Sequence, residues 1–125
     1  MQPINDMTDC VFCDILNKTS PADLVYEDSE VIVIQDIRPV SPVHLLVIPR
    51  RHIDSLDALQ PEDGALLQHM LFTVQKVARQ FIGERPAYRT VINTGSAAGQ
   101  TVFHLHIHII SGRPFMSSLI TRGLR

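Results

Sequence analysis

The sequence has no tryptophan, only two cysteines, no excess of basic residues and no long apolar run. Nothing approaches the ~18–20 consecutive apolar residues that cross a bilayer, so no membrane partner is expected. The first residues, Met1-Gln2-Pro3-Ile4-Asn5-Asp6, carry neither the basic start nor the apolar stretch of a signal peptide. A cytoplasmic, reducing location is therefore expected, where a structural disulfide between Cys10 and Cys13 is out of place. The formal net charge is −2. A protein that grips the nucleic-acid backbone needs a basic surplus, so nucleic acid is not an expected partner. A small anionic ligand met by a few local donors remains compatible. Neither an internal repeat nor a low-complexity tract is present.

What is present suits one ordinary domain spanning 1–125. The chain has 125 residues, 45% hydrophobic and 19% charged. A core of this length buries ~65–70% of the unfolded chain's surface, so neither disulfide nor metal is obligatory for folding. Residues 1–8 read as a loose start and 113–125 as an arm without periodicity. A short helix is expected through Phe12–Leu16. Leu24–Glu27 and Val31–Gln35 read as a hairpin turned at Asp28-Ser29-Glu30. His44–Ile48 is a further strand, stopped by Pro49. The clearest helix runs from Pro61 to Ile82, with Leu66, Leu67, Met70, Leu71, Val74, Val77, Ala78 and Phe81 on one stripe. Pro61 suits its first turn, Glu62 and Asp63 complement its dipole, and Gly83 suits its end. Met70 and Phe72 are assigned to its packing, and His69 to its surface. Tyr88–Asn93 and Val102–Ile110 complete the strands. Strands adjacent in sequence around one long helix predict an α+β fold with a largely antiparallel sheet and a short N-terminal helix.

Six histidines stand out, three of them within five positions: His104, His106 and His108. Their segment, Val102-Phe103-His104-Leu105-His106-Ile107-His108-Ile109-Ile110, alternates strictly. In a straight strand the three imidazoles share one face about 6.5–7 Å apart, and Phe103, Leu105, Ile107 and Ile109 face the core. A polar outer face is the plain reading for a single histidine. It explains three in register poorly, because buried imidazoles need partners. A straight strand also sets them too far apart for all three to reach one metal ion at ~2.0–2.1 Å. Nucleophilic catalysis fits better: a neutral imidazole attacks while its neighbours donate to the developing charge. The central His106 suits the nucleophile. Phosphorus suits the electrophile, since its charge spreads over several oxygens. His108 then lies beside a phosphate oxygen, and Gln100 and Thr101 offer donors to the leaving group. The Gly95–Thr101 loop lets backbone approach a phosphate, although it matches neither the P-loop nor the dinucleotide fingerprint.

Three segments carry a wider likeness. They are Asn93-Thr94-Gly95-Ser96 through Gly99-Gln100-Thr101, His104-Leu105-His106-Ile107-His108-Ile109-Ile110, and His44-Leu45-Leu46-Val47-Ile48-Pro49-Arg50-Arg51-His52-Ile53. With Asp9-Cys10-Val11-Phe12-Cys13, Asp36-Ile37 and Pro39, they resemble the nucleotide-binding branch of the histidine triad (HIT) family over residues 9–114. The resemblance implies a HIT-like α+β fold, and a homodimer whose two sheets run on as one. It implies a purine nucleotide partner and hydrolysis of nucleoside phosphoramidates through a nucleotidyl-His106 intermediate, with no metal needed for the chemistry. His108 and Thr101 then contact the phosphate or leaving group, and Asn93, Gly99 and Gln100 line the phosphate site. Asp36 and Ile37 lie at ribose and base, and His44 sets the hydrogen bonding of the triad. Animal members carry tryptophan in the tail after the triad, and this chain does not. A dinucleoside polyphosphate hydrolase and a nucleotide-sensing module with little turnover are the rival readings.

Cys10 and Cys13 have zinc-ligand spacing, but one such pair cannot close a tetrahedral site. Similarity to zinc-bearing members implies that His52 and His104 complete a structural zinc centre. Two free thiols, or a redox pair, are the alternatives. Arg50 and Arg51 read as a solvated strand end.

Overall fold

The computed structural model describes residues 10–112. The readings for 1–8 and 113–125 lie outside them. Five strands form one sheet in the order β1-β2-β3-β5-β4. They are β1 (Leu24–Glu27), β2 (Val31–Gln35), β3 (Val43–Pro49), β4 (Arg89–Val91) and β5 (Ile107–Ser111). Every pairing is antiparallel. Helix α1 covers Val11–Leu16 and helix α2 covers Gly64–Phe81. The fold is α+β, as the sequence predicts. Among the described residues no helix is long and apolar enough to cross a membrane.

Strand alternation splits the aliphatic residues between two cores. Val31 and Val33 of β2, Leu45 and Val47 of β3, and Ile107 and Ile109 of β5 pack with Leu66, Met70, Val74 and Val77 of α2. Ile32, Ile34, Leu46 and Ile48 point the other way and pack with Cys10, Phe12 and Cys13. A full helix thus covers one face. Among the described residues the opposite face receives α1 together with Cys10, Ala22 and Val102, and the triad imidazoles lie buried beside them.

The last strand is shorter than its pattern suggests. Strand pairing starts at Ile107, where Val47 is the partner. Residues 101–106 leave the sheet, and the Leu105 N–H donates instead to the Ile53 carbonyl at 2.6 Å. The cause lies in β3: Pro49 has no N–H for a further rung, and its carbonyl accepts from the His104 ring at 2.8 Å. Phe103, expected in the core, is 46% exposed, whereas Leu105 is buried. The long helix begins later as well. Pro61–Asp63 forms a 3-10 turn, and Asp63 accepts from the Gln60 N–H before α2 starts. Phe72, assigned to helix packing, is 58% exposed beside an exposed Leu71.

His69 is not a bystander on the helix surface. Its Nε2 lies 2.8 Å from Asp28 Oδ2 and ties α2 to the β1–β2 turn. Asp28 also accepts from the Tyr26 hydroxyl and from the Glu30 and Val31 N–H groups. Burial alone pushes its carboxyl up, but these four bonds outweigh it and hold it well below the usual carboxylate range. Arg50 and Arg51 are paired rather than merely solvated, with Glu27 and Asp63.

Asp28→Ala should lower the unfolding free energy at pH 7 by about 1–3 kcal/mol, read from urea midpoints. A depressed native pKa stabilises above the unfolded value of ~3.9 and is lost below it. The gap between wild type and variant should therefore shrink as pH falls through 4.

Candidate active site

β3 and β5 set the centre of the site. Their register places Leu46 opposite His108 and His44 opposite Ile110, so His44 and His108 share the α1 face. His44 Nε2 lies 2.9 Å from His108 Nδ1. The proton positions follow from fixed backbone groups. The Val40 N–H donates to His44 Nδ1 at 3.1 Å, so a neutral His44 carries its proton on Nε2. That proton points at His108 Nδ1, which leaves the His108 proton on Nε2. His106 Nδ1 meets the His104 carbonyl at 2.7 Å, and a carbonyl only accepts. His106 therefore holds its proton on Nδ1 and leaves Nε2 unprotonated. A nucleophilic nitrogen and a donor N–H thus stand on adjacent rings whose centroids are 5.0 Å apart.

A groove of about 220 Å³ opens over these two rings. His106, His108, Asp36 and Ile37 line it, as the motifs suggest. Its apolar wall was not foreseen: Phe12 and Ile15 of α1, Pro21 and Ala22 after it, and Ile34, Leu46 and Val102. The alternation of β2 and β3 puts Ile34 and Leu46 on the His44 face, and that was the available signal. A larger cleft of about 420 Å³ lies beyond α1, between Leu16, Lys18, Leu24 and Arg50, and holds none of the imidazoles.

His104 parts from its two companions. Its ring sits 4.7 Å from that of His52, and its Nδ1 lies 3.3 Å from Cys10 Sγ and 3.5 Å from Cys13 Sγ. Cys13 Sγ is 3.1 Å from His52 Nδ1. The four donors lie within 4.8 Å of one another. Ligands at ~2.3 Å (sulfur) and ~2.0–2.1 Å (nitrogen) around a tetrahedral ion stand ~3.6 Å apart, close to this spacing. The far nitrogens are fixed too. His104 Nε2 donates to the Pro49 carbonyl, and His52 Nε2 to Asp54 Oδ1 at 2.9 Å. Both rings therefore turn bare Nδ1 atoms inward, the arrangement of metal-ligating histidines. Burial pushes the His104 imidazole down to about 4, so it stays neutral and able to ligate. Burial, then the neighbouring Cys10, push the Cys13 thiol up to about 12. A bound cation would offset that cost at Cys13, and this donor set fits zinc.

Asp36, His44 and His108 also gather their donor atoms within 4.8 Å. This second cluster does not fit a metal. His44 Nδ1 already accepts from Val40, so Nε2 must hold a proton and has no lone pair to give. Asp36 instead stands 3.4 Å from His44 Nε2 and accepts from the Arg38 N–H.

The family whose model is described as Scavenger mRNA decapping enzyme C-term binding matches residues 9–121. An uncharacterized HIT-like protein of Synechocystis is 46% identical over 107 residues, 86% of this chain and 93% of its own. The chain belongs to the histidine triad family. A HIT family hydrolase from Legionella pneumophila superposes with a TM-score of 0.83 at 37% identity, covering 86% of this chain and 96% of that one. A zinc-bound histidine triad family protein from Mycobacterium smegmatis gives a TM-score of 0.74, also at 37% identity, over 86% of this chain and 77% of its own.

The remaining site candidates of this histidine triad chain surround the loop after β4. Val91 pairs with His108, which leads the chain toward His106 at Asn93. The Asn93 Nδ2 is buried and makes no hydrogen bond among the described residues. Gly95 and Gly99 adopt φ of 89° and 100°, which a side chain would strain. The Gln100 side chain is buried and spent on the loop: it accepts from the Gly95 N–H and donates to the Asp54 and Val102 carbonyls. Thr101 is exposed and faces a neighbouring cleft with Phe103, Asp54 and His52.

Long-range proton–nitrogen correlation spectra at neutral pH should show His106 as the Nδ1–H tautomer and His108 as the Nε2–H tautomer. Val40→Pro, which deletes the donor to His44, should blur the His108 assignment and leave that of His106 unchanged. An Nε2–H signal from His106 would contradict the proton positions given above.

Proposed function

We propose that this protein is a nucleotide hydrolase that cleaves purine nucleoside phosphoramidates through a covalent nucleotidyl-histidine. The unprotonated His106 Nε2 beside the His108 Nε2–H, in the lining of a groove, carries this reading. The relative from Legionella pneumophila named a HIT family hydrolase supports the reaction class. The base lies against Phe12, Ile15, Ile34 and Leu46, with Ile37 at the rim, and Asp36 accepts from the ribose hydroxyls. His106 Nε2 attacks phosphorus and its bond to phosphorus forms as the phosphorus–nitrogen bond breaks. The amine leaves with a proton taken from solvent. His108 Nε2–H and the Asn93 amide donate to the charged oxygens, and the loop through Gly99 and Gln100, whose own N–H groups close its turn, borders the phosphate. Thr101 faces the neighbouring cleft with His52 and Asp54, outside the groove lining, and no leaving-group contact is assigned to it. Water then cleaves the nucleotidyl-His106 bond and restores the neutral ring. The His104 carbonyl stabilises the positive charge that His106 acquires at Nδ1 in both steps.

Cys10, Cys13, His52 and His104 are proposed to hold a structural zinc ion, which stabilises the fold and takes no part in catalysis. The zinc-bound relative supports this. A homodimer is proposed across the free edge of β4 and the adjoining face of α2. Leu71 and Phe72 are exposed there, and a groove of about 580 Å³ runs between Leu67, Phe72, Tyr88 and Thr90. An open sheet edge beside exposed apolar side chains is a surface that a second chain can cover.

Brief incubation with adenosine 5′-monophosphoramidate followed by mass spectrometry should show one nucleotidyl group on His106. His106→Asn should lower kcat by ~10³-fold or more and leave AMP affinity within a few-fold. A variant retaining most of its activity would refute the nucleophile assignment. A dinucleoside polyphosphate turned over faster than the phosphoramidate would refute the substrate assignment. Phe72→Glu should halve the mass measured by light scattering, from two chains to one.

A further inference from the structure

Helix α1 is six residues long, far below the length that holds a helix in water by itself. It is held at both ends of its buried face by two different sites. Cys10, its N-cap, and Cys13 supply two of the four donors of the Cys/His cluster. Val11, Phe12 and Ile15 form a wall of the groove over His106 and His108. Phe12 lies between the two sites. Its ring meets that of His104 edge-on at 5.9 Å and that of His106 edge-on at 5.0 Å. His104 is shared as well. Its ring belongs to the cluster, while its carbonyl accepts the Nδ1–H that fixes His106.

We infer that the metal cluster and the nucleotide groove are energetically coupled, with Phe12 as the positioning residue that links them. The inference rests on the nucleotide and zinc readings above and goes beyond a structural role for the metal. With the four donors drawn together, α1 is anchored, the Phe12 ring is held against His106, and the groove wall stands ready for a base. With the donors apart, α1 loses its anchor and the nucleotide must order the wall itself. Binding energy spent on ordering is lost from affinity. Linkage makes the effect reciprocal: the factor by which metal tightens nucleotide equals the factor by which nucleotide tightens metal.

The test uses the full chain and two probes, AMP and zinc. AMP affinity is measured by calorimetry on zinc-loaded protein and on protein stripped with a chelator. Zinc affinity is measured by competition with a chromophoric chelator, with and without saturating AMP. Both comparisons should give the same factor, ~5-fold or larger. Phe12→Ala keeps all four donors, so it should still bind one zinc per chain, but its factor should fall below ~2. This variant also covers the case in which stripped protein unfolds. A factor produced by global unfolding alone would survive the substitution, and its survival would overturn the inference. AMP binding that is indifferent to zinc in wild type would also overturn it while leaving the nucleotide reading intact. Absence of AMP binding in either form would sink the nucleotide reading and the coupling together, and absence of zinc binding would sink the metal reading and the coupling.

Discussion

The site depends on a backbone carbonyl. The oxygen of His104 accepts the His106 Nδ1–H at 2.7 Å, and this contact decides which nitrogen of the central ring is nucleophilic. A carbonyl cannot exchange roles as a water or a hydroxyl can, so the assignment does not drift. The same logic recurs around it. The Val40 N–H decides His44, the Pro49 carbonyl decides the His104 ring, and His44 passes its proton direction to His108. Three imidazoles are oriented directly by main-chain groups and a fourth, His108, through His44. Burial makes this strict. His104, His106 and His108 are each at most 4% exposed, where a misplaced polar hydrogen costs ~1–3 kcal/mol.

That dependence explains why β5 is short. A straight strand from Val102 would place three imidazoles on one face at equal spacing, each competing for the same neighbours. Pro49 ends the ladder instead, and the chain before Ile107 bends to meet the loop at Ile53. The bend sends the His104 ring toward Cys10, Cys13 and His52 and leaves its carbonyl beneath His106. One pattern of alternating histidines thereby serves two chemistries. Phe12 fills the gap that the bend opens between the first two rings.

Much of this was legible before any coordinates. The hairpin, the long helix, the α+β class and the pairing of His106 with His108 follow from periodicities of two and 3.6 in the sequence. The donor set of Cys10, Cys13, His52 and His104 came from family likeness, since no spacing rule brings position 52 to position 10. Two kinds of feature stayed hidden. The bend before Ile107 depends on what Pro49 withholds from a strand fifty-eight positions away, and alternation in Val102–Ile110 carries no trace of it. The groove wall belongs to residues such as Ile34 and Ala22, whose types read as ordinary core. Only the partial cover that α1 gives this face turns them into lining. Phe72 was misassigned for a related reason: an apolar stripe on α2 wider than the sheet it covers looks the same in sequence as one fully buried.

The lining of the groove bears on how the proposed phosphate is met. No lysine or arginine is among the described residues that line it, and Asp36 adds a negative charge. In the proposed reading, recognition of a phosphate falls to dipoles, the His108 Nε2–H and the Asn93 amide, since the N–H groups of Gly95, Ala98, Gly99 and Gln100 are already donated within their own turn. Dipoles fixed in place stabilise charge that appears during a reaction and do little for charge spread elsewhere along a ligand. Among the described residues such a lining meets a dianionic product with dipoles alone and offers no cation to a chain of several phosphates. An uncharged amine beyond the phosphorus asks nothing more of the walls. The scarcity of positive charge among the described lining residues therefore favours the proposed substrate class over a polyphosphate, while the proton positions bear on the nucleophile alone.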